Sequence, residues 1–163
     1  MIFIITLALY LASEVVSVKD NSVTSHSLHE LILCRLCGSE LSSSNYIINS
    51  KISLDSENTF NETLFGKEVF VQVLSANFMS NIPIITFGHS ECLPIEEWSE
   101  IESWFPDYLW KVCICPACGE IIGWVFQPTN QLKNGTSNIF FALDLHSLIG
   151  ETFLDSLIKN PYN

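Results

Sequence analysis

Positive charge is scarce in this chain: 7 Lys and Arg stand against 18 Asp and Glu, for a formal net charge of -11. A surface that acidic repels phosphate backbones, and no basic stripe offsets it, so no nucleic-acid partner is expected. Long apolar runs are scarce too. Beyond the first dozen residues no segment is long and apolar enough to cross a membrane, and the final LIKNPYN lacks a lipid-anchor signal. The early run, Ile2 to Ala12, is short for a span and is followed by small residues and then charge. That is the shape of a secretory signal peptide, expected over residues 1–17, although no Lys or Arg follows Met1. A signal anchor or an N-terminal strand is the other reading. The expectation is a secreted, extracellular chain with no stable membrane insertion after cleavage.

What is present is enough for one core. The chain has 163 residues, of which 48% are apolar, which suits one domain and not two. Sequons at Asn61-Glu62-Thr63 and Asn134-Gly135-Thr136 mark Asn61 and Asn134 as glycosylation candidates, the second with an Asn-Gly loop tip. Residues 18–32 form an N-terminal segment, with a short helical pattern in which Ser27 caps and Leu28, Leu31 and Ile32 share a face. His26 and His29 sit beside it, as ligands or as solvated side chains. SSSNYIINSKISLDSENTFNETLF reads as short strands broken by loops. GKEVFVQVLSANF and NIPIITF are clearer strands. ECLPIEEWSEIES is acidic and irregular. IFFALDLHSLIGETFLDSLI starts as a strand and ends as a helix. The class expected is mainly β, with little helix.

Cysteine carries the sharpest signal. Of 6 cysteines, four fall in two matching units, CRLCGSE and CPACGE. Each places two thiolates on a tight turn, and the following Gly lets backbone amides turn toward sulfur. Together Cys34, Cys37, Cys115 and Cys118 make a closed four-sulfur zinc site, structural because no position is left for water. The long gap between the units means that zinc would clamp the start of the domain to its late part. Two disulfides are the alternative. Cys92 and Cys113 remain, as a disulfide, two buried thiols or a redox pair. Neither has a His or basic residue set by evident design to lower its pKa and activate a thiolate.

Three of the 4 tryptophans, Trp104, Trp110 and Trp124, crowd one stretch. Trp104 and Trp110 flank the turn Phe105-Pro106-Asp107-Tyr108. Strand alternation in EIIGWVF puts Ile122, Trp124 and Phe126 on one face, and Gly123 leaves room for a close neighbour. Such indoles serve either as plain core or as walls of a pocket for a flat ring or a quaternary cation. Trp98 reads as ordinary packing.

The segment SWFPDYLWKVCICPACGEIIGWVF resembles the CULT family, the thalidomide-binding domain of cereblon. The family pattern, Ser-Trp-Phe-Pro-Gly-Tyr-x-Trp, Cys-x-x-Cys, Gly-Trp-x-Phe, is met at Ser103 to Trp110, at Cys115 and Cys118, and at Gly123 to Phe126. Cys34 and Cys37 lie at the expected distance upstream, and the domain would span 33–150, followed by a tail over 151–163. The resemblance implies a β-tent: two antiparallel sheets meeting at an angle, pinned by a four-cysteine zinc ion. It implies an aromatic cage of Trp104, Trp110 and Trp124, edged by Phe126, that receives a glutarimide or related cyclic imide. Backbone groups of Glu102 and Trp104 would bond the imide, Tyr108 would hold the cage, and Asn77 would stand on a loop over it. Three positions depart from the family: Glu102 replaces a His, Phe78 a Pro, and Asp107 the turn Gly. The chain resembles single-domain secreted members, so ubiquitin transfer is not implied.

The function expected is therefore a small-ligand binding module, not an enzyme, for a cyclic imide, a pyrimidine-like ring or a protein end bearing one. The rival readings are a methionine sulfoxide reductase-like zinc enzyme, which needs an exposed, activated Cys in the pocket, and a structural domain whose aromatics form a closed core.

Overall fold

The computed structural model describes residues 29–76, 79–130 and 138–154. The expected leader, the helical pattern up to Leu28 with His26, Asn77, Asn134 and the tail beyond 154 lie outside these residues.

Among the described residues there are ten strands: β1 (Leu31–Cys34), β2 (Glu40–Ser43), β3 (Ser56–Leu64), β4 (Lys67–Ala76), β5 (Met79–Phe87), β6 (Leu93–Ser99), β7 (Tyr108–Ile114), β8 (Ile121–Pro128), β9 (Phe140–Asp144) and β10 (Leu148–Gly150). Short 3-10 turns follow β2 and β9. The fold is mainly β. A three-stranded sheet runs β10-β1-β2, and a seven-stranded sheet runs β3-β4-β5-β9-β8-β7-β6. Every pairing is antiparallel.

Two elements differ from the reading of the sequence. Leu31 and Ile32 stand on a strand, β1, and not on a helix. Four residues give too few repeats to separate the two periods, and pairing with β2 and β10 decides the matter. The acidic stretch from Leu93 is strand β6, at the outer edge of the large sheet. Its carboxylates face water, and Pro94 is tolerated there because an edge strand can spare an N–H.

The core has two parts, one on each face of the large sheet. Ile85, Val125 and Leu143 pack with Ile32, Cys34, Leu41 and Leu148 of the small sheet. Their chain neighbours Ile84, Trp124 and Ala142 point the other way, into a cluster with Trp104, Phe105, Phe126 and Phe140. Trp98 packs at the margin of the first cluster.

The large sheet opens between β4 and β5. These strands pair from Gln72 and Ile84 onward, and the segment at 46–49 fills the gap. On one side Ile47 bridges Phe87, Ile48 N–H donates to the Thr86 carbonyl at 2.9 Å, and Gly88 N–H to the Tyr46 carbonyl at 2.7 Å. On the other, the Asn49 side chain accepts from Phe70 N–H at 3.1 Å and donates to the Glu68 carbonyl at 3.3 Å. A side-chain amide thus stands in for the missing strand neighbour and satisfies the β4 backbone.

Candidate metal centre and aromatic site

Both Cys-x-x-Cys-Gly units adopt one turn. Cys34 N–H donates to the Ser39 carbonyl at 2.8 Å and Gly38 N–H to the Cys34 carbonyl at 2.8 Å. Cys115 N–H likewise donates to the Glu120 carbonyl at 2.8 Å and Gly119 N–H to the Cys115 carbonyl at 2.9 Å. Gly38 and Gly119 hold φ of 75° and 78°, where a side chain is disfavoured. In each turn amides point at sulfur: those of Leu36 and Cys37 at Cys34, and those of Ala117 and Cys118 at Cys115. The turns meet because β1 leads into the first and β7 into the second.

The four sulfurs lie within 4.8 Å of one another and could hold a metal ion. Cys34 and Cys118 Sγ are 3.8 Å apart, and Cys37 and Cys115 Sγ 3.6 Å. Tetrahedral sulfurs about 2.3 Å from zinc would stand about 3.8 Å apart, so the residues present fit that ion. Each turn contributes one buried sulfur, Cys34 or Cys115, and one exposed, Cys37 or Cys118.

As thiols, the four split in acidity. Burial pushes Cys34 up against its amide bonds. The Ser39 hydroxyl and amide draw Cys37 down. Burial raises Cys115, but the Ser39 hydroxyl and the amides of Cys118 and Ala117 overcome it and bring the thiol down to about 6. At Cys118 the Glu120 amide favours the thiolate, yet burial and the sulfurs of Cys115, Cys37 and Cys34 drive it up to about 12. Crowded sulfurs resist a shared negative charge, and a divalent cation would relieve that repulsion.

Cys92 and Cys113 form a disulfide, with Cα atoms 5.6 Å apart. It ties the start of β6 to the end of β7, two residues before Cys115. Both cysteines are buried.

The aromatic residues gather on the opposite face of the large sheet. Trp104 and Trp124 meet edge to face, with centroids 4.6 Å apart and planes at 74°. Each is 8% exposed. Register sets Trp110 opposite Phe126 and Val112 opposite Trp124, so Trp110 is the diagonal cross-strand neighbour of Trp124. Its Nε1–H donates to the Ile101 carbonyl at 2.9 Å and ties the loop before Trp104 to β7. Phe126 stacks on Phe140 at 5.0 Å, and Phe105 meets both edge-on. Ile122 does not share the Trp124 face: it joins the first cluster. Cys113 pairs with Gly123 and Ile114 with Ile121, so Ile122 is an extra residue in a bulge, and the bulge breaks the alternation. Gly123 has φ 150°, and a Cβ there would lie 2.2 Å from the Ala142 carbonyl oxygen. The close neighbour expected at this glycine is the β9 backbone.

Glu102 is exposed, with φ 51°. Asp107, where the resembled pattern has a turn Gly, has φ 66°, a conformation that Asp tolerates better than most residues. Its carbonyl accepts from Thr129 N–H at 2.9 Å. Asn61 is exposed on β3, at the other edge of the large sheet.

Three residues at this site carry no motif. Gln72, fully buried on β4, accepts from Ser53 N–H at 2.7 Å and donates to the Lys51 carbonyl at 2.8 Å. The Ser53 hydroxyl then donates to the Trp104 carbonyl at 2.7 Å. Lys51 Nζ donates to the Tyr108 hydroxyl at 2.6 Å and lies 5.1 Å from the centre of the Phe140 ring. The one sequence signal was Gln72, the polar residue within the otherwise apolar run Val69–Leu74.

No family model matches the chain. Among curated proteins, a 41-residue stretch, 25% of this chain, is 44% identical to part of protein cereblon of Drosophila simulans. A match of the same length to protein cereblon of Drosophila melanogaster is 39% identical. The match takes in 7% of each fly protein. The chain is thus a mainly β domain with a possible metal centre and a partial, cereblon-like stretch of sequence.

Proposed function

We propose that the chain is a secreted CULT-type binding module that takes a cyclic imide or a pyrimidine-like ring between Trp104, Trp110 and Trp124, above a structural zinc held by Cys34, Cys37, Cys115 and Cys118. The observation that carries this reading is the edge-to-face meeting of Trp104 and Trp124 at 74° with Trp110 on the same sheet face. Two steeply inclined indoles offer a flat ring one face to stack on and one edge to abut. The partial likeness to cereblon supports the CULT-type reading, and the ligand class is what that resemblance implies. Glu102 and Trp104 would bond the imide through backbone groups, with Phe126 and Tyr108 backing the ring. Zinc would carry no chemistry beyond holding the two turns together. Binding without catalysis is supported by the cysteines: Cys92 and Cys113 are joined, and the other four cluster. The disulfide and the exposed sequon at Asn61 suit an oxidising compartment and glycosylation.

A second reading, a closed aromatic core, draws on the burial of both indoles, at 8% exposure each. One titration separates the two. Thalidomide, and uridine in a parallel arm, is added to the metal-loaded chain while tryptophan emission is followed, with Trp124→Ala as control. Micromolar quenching lost in Trp124→Ala is expected of the module. No response from the native chain, or equal responses from both proteins, would leave the closed core standing.

A further inference from the structure

The two cysteine turns match in backbone and differ in one side chain. Ser39 and Glu120 occupy equivalent places: each carbonyl closes its turn onto the first cysteine, and each amide points at the second. Only the Ser39 side chain turns inward. Its Oγ lies 3.2 Å from Cys37 Sγ, in its own turn, and 3.1 Å from Cys115 Sγ, in the other. Ser39 is partly buried, whereas Cys37 is exposed.

We propose that the Ser39 hydroxyl is a positioning residue for the metal, a stitch across the two turns that holds Cys37 and Cys115 in register and slows release of the ion. The inference rests on the metal reading above. Four thiolates around a divalent cation keep a net negative charge, and the amides offset part of it. One further O–H aimed between two sulfurs offsets more, and the hydroxyl has one proton to share between them. In the metal-bound state every sulfur is already a thiolate, and a bonded thiolate is the weaker nucleophile, so the exposed Cys37 is also shielded from alkylation.

The test uses the full chain loaded with zinc, and separately with cobalt, as the native protein, Ser39→Ala and Ser39→Thr. Ser39→Ala is expected to lose zinc to a chelator about tenfold faster, at the low end of the effect of removing a partner to a metal ligand. Its sulfur-to-cobalt charge-transfer band should move to lower energy, and iodoacetamide should label Cys37 sooner. Ser39→Thr keeps the hydroxyl and should restore all three. Unfolding would show as a change in tryptophan emission that Ser39→Thr does not share. Equal release rates and an unmoved band in a loaded Ser39→Ala chain would overturn the role of Ser39 alone. A native chain that retains no zinc or cobalt would overturn the metal reading with it.

Discussion

Gly123→Ala tests how the tryptophan face is built. The added Cβ would sit 2.2 Å from the Ala142 oxygen and 2.8 Å from the Leu143 Cα, whereas real contacts stay beyond 3.0 Å. Both obstacles are backbone of β9, so no rotamer relieves them. Strand β9 would have to retreat from β8 by close to an ångström. That strains or breaks the ladder where Gly123 faces Leu143 and Trp124 faces Ala142. Two weakened bonds cost about 1 kcal/mol each, and more if the groups stay buried and unpaired. Forcing a side chain into φ 150° adds about 1–3 kcal/mol. The expected loss is about 3–5 kcal/mol, a large part of the stability of a domain this size. Denaturant unfolding followed by tryptophan emission reads it directly, as a fall in midpoint at unchanged slope. Trp124 is the next residue, so folded-state emission should shift as well. A variant within 1 kcal/mol of the native chain would refute the close approach of β9.

Two further outcomes follow from the geometry. Asp107→Gly should stabilise the chain by about 0.5–1 kcal/mol in the same assay, because φ 66° costs Gly nothing while its freer unfolded chain gives back part of the gain; a loss would show that the aspartate side chain supports the turn. Zinc affinity should rise with pH: Cys118, pushed up to about 12, and Cys34, also raised, hold protons that the metal must displace, whereas Cys115 at about 6 is already ionised at neutral pH. At least two protons displaced give at least about a hundredfold gain in affinity per pH unit near pH 8, steepening below about pH 6 as Cys115 takes a proton. Calorimetry in buffers of differing ionisation heat counts those protons, and a flat profile would refute the ordering.

Much of the metal centre was legible because its geometry is local. A Cys-x-x-Cys-Gly turn needs only its own residues, and the repeat at 34–38 and 115–119 is a repeat of hydrogen bonds as well as of letters. The strands at 67–76 and 79–87 were legible for a similar reason, since β-branched runs fit a pleated, half-buried surface. The rest depended on what the chain meets after folding. Leu31–Cys34 is a strand because β2 and β10 flank it. Ile122 changes face because of one extra residue in a ladder. Lys51 and Ser53 matter because a buried Gln72 holds their backbone, and no spacing in the sequence ties residues so far apart.

Strand β7 is a lever with its fastenings at one end. Cys113 and Cys115, at and just beyond its C-terminal end, carry a covalent bond and a place in the sulfur cluster. Tyr108 and Trp110, at its start, are held by strand pairing, side-chain hydrogen bonds and packing, with no covalent tie. Substitutions near Tyr108 would therefore reshape the aromatic face while the anchored end keeps the fold, and Glu102 and Asp107 both lie away from the cysteines. If the aromatic face takes a ring, as proposed, changes of specificity should arise there, leaving the cysteines untouched.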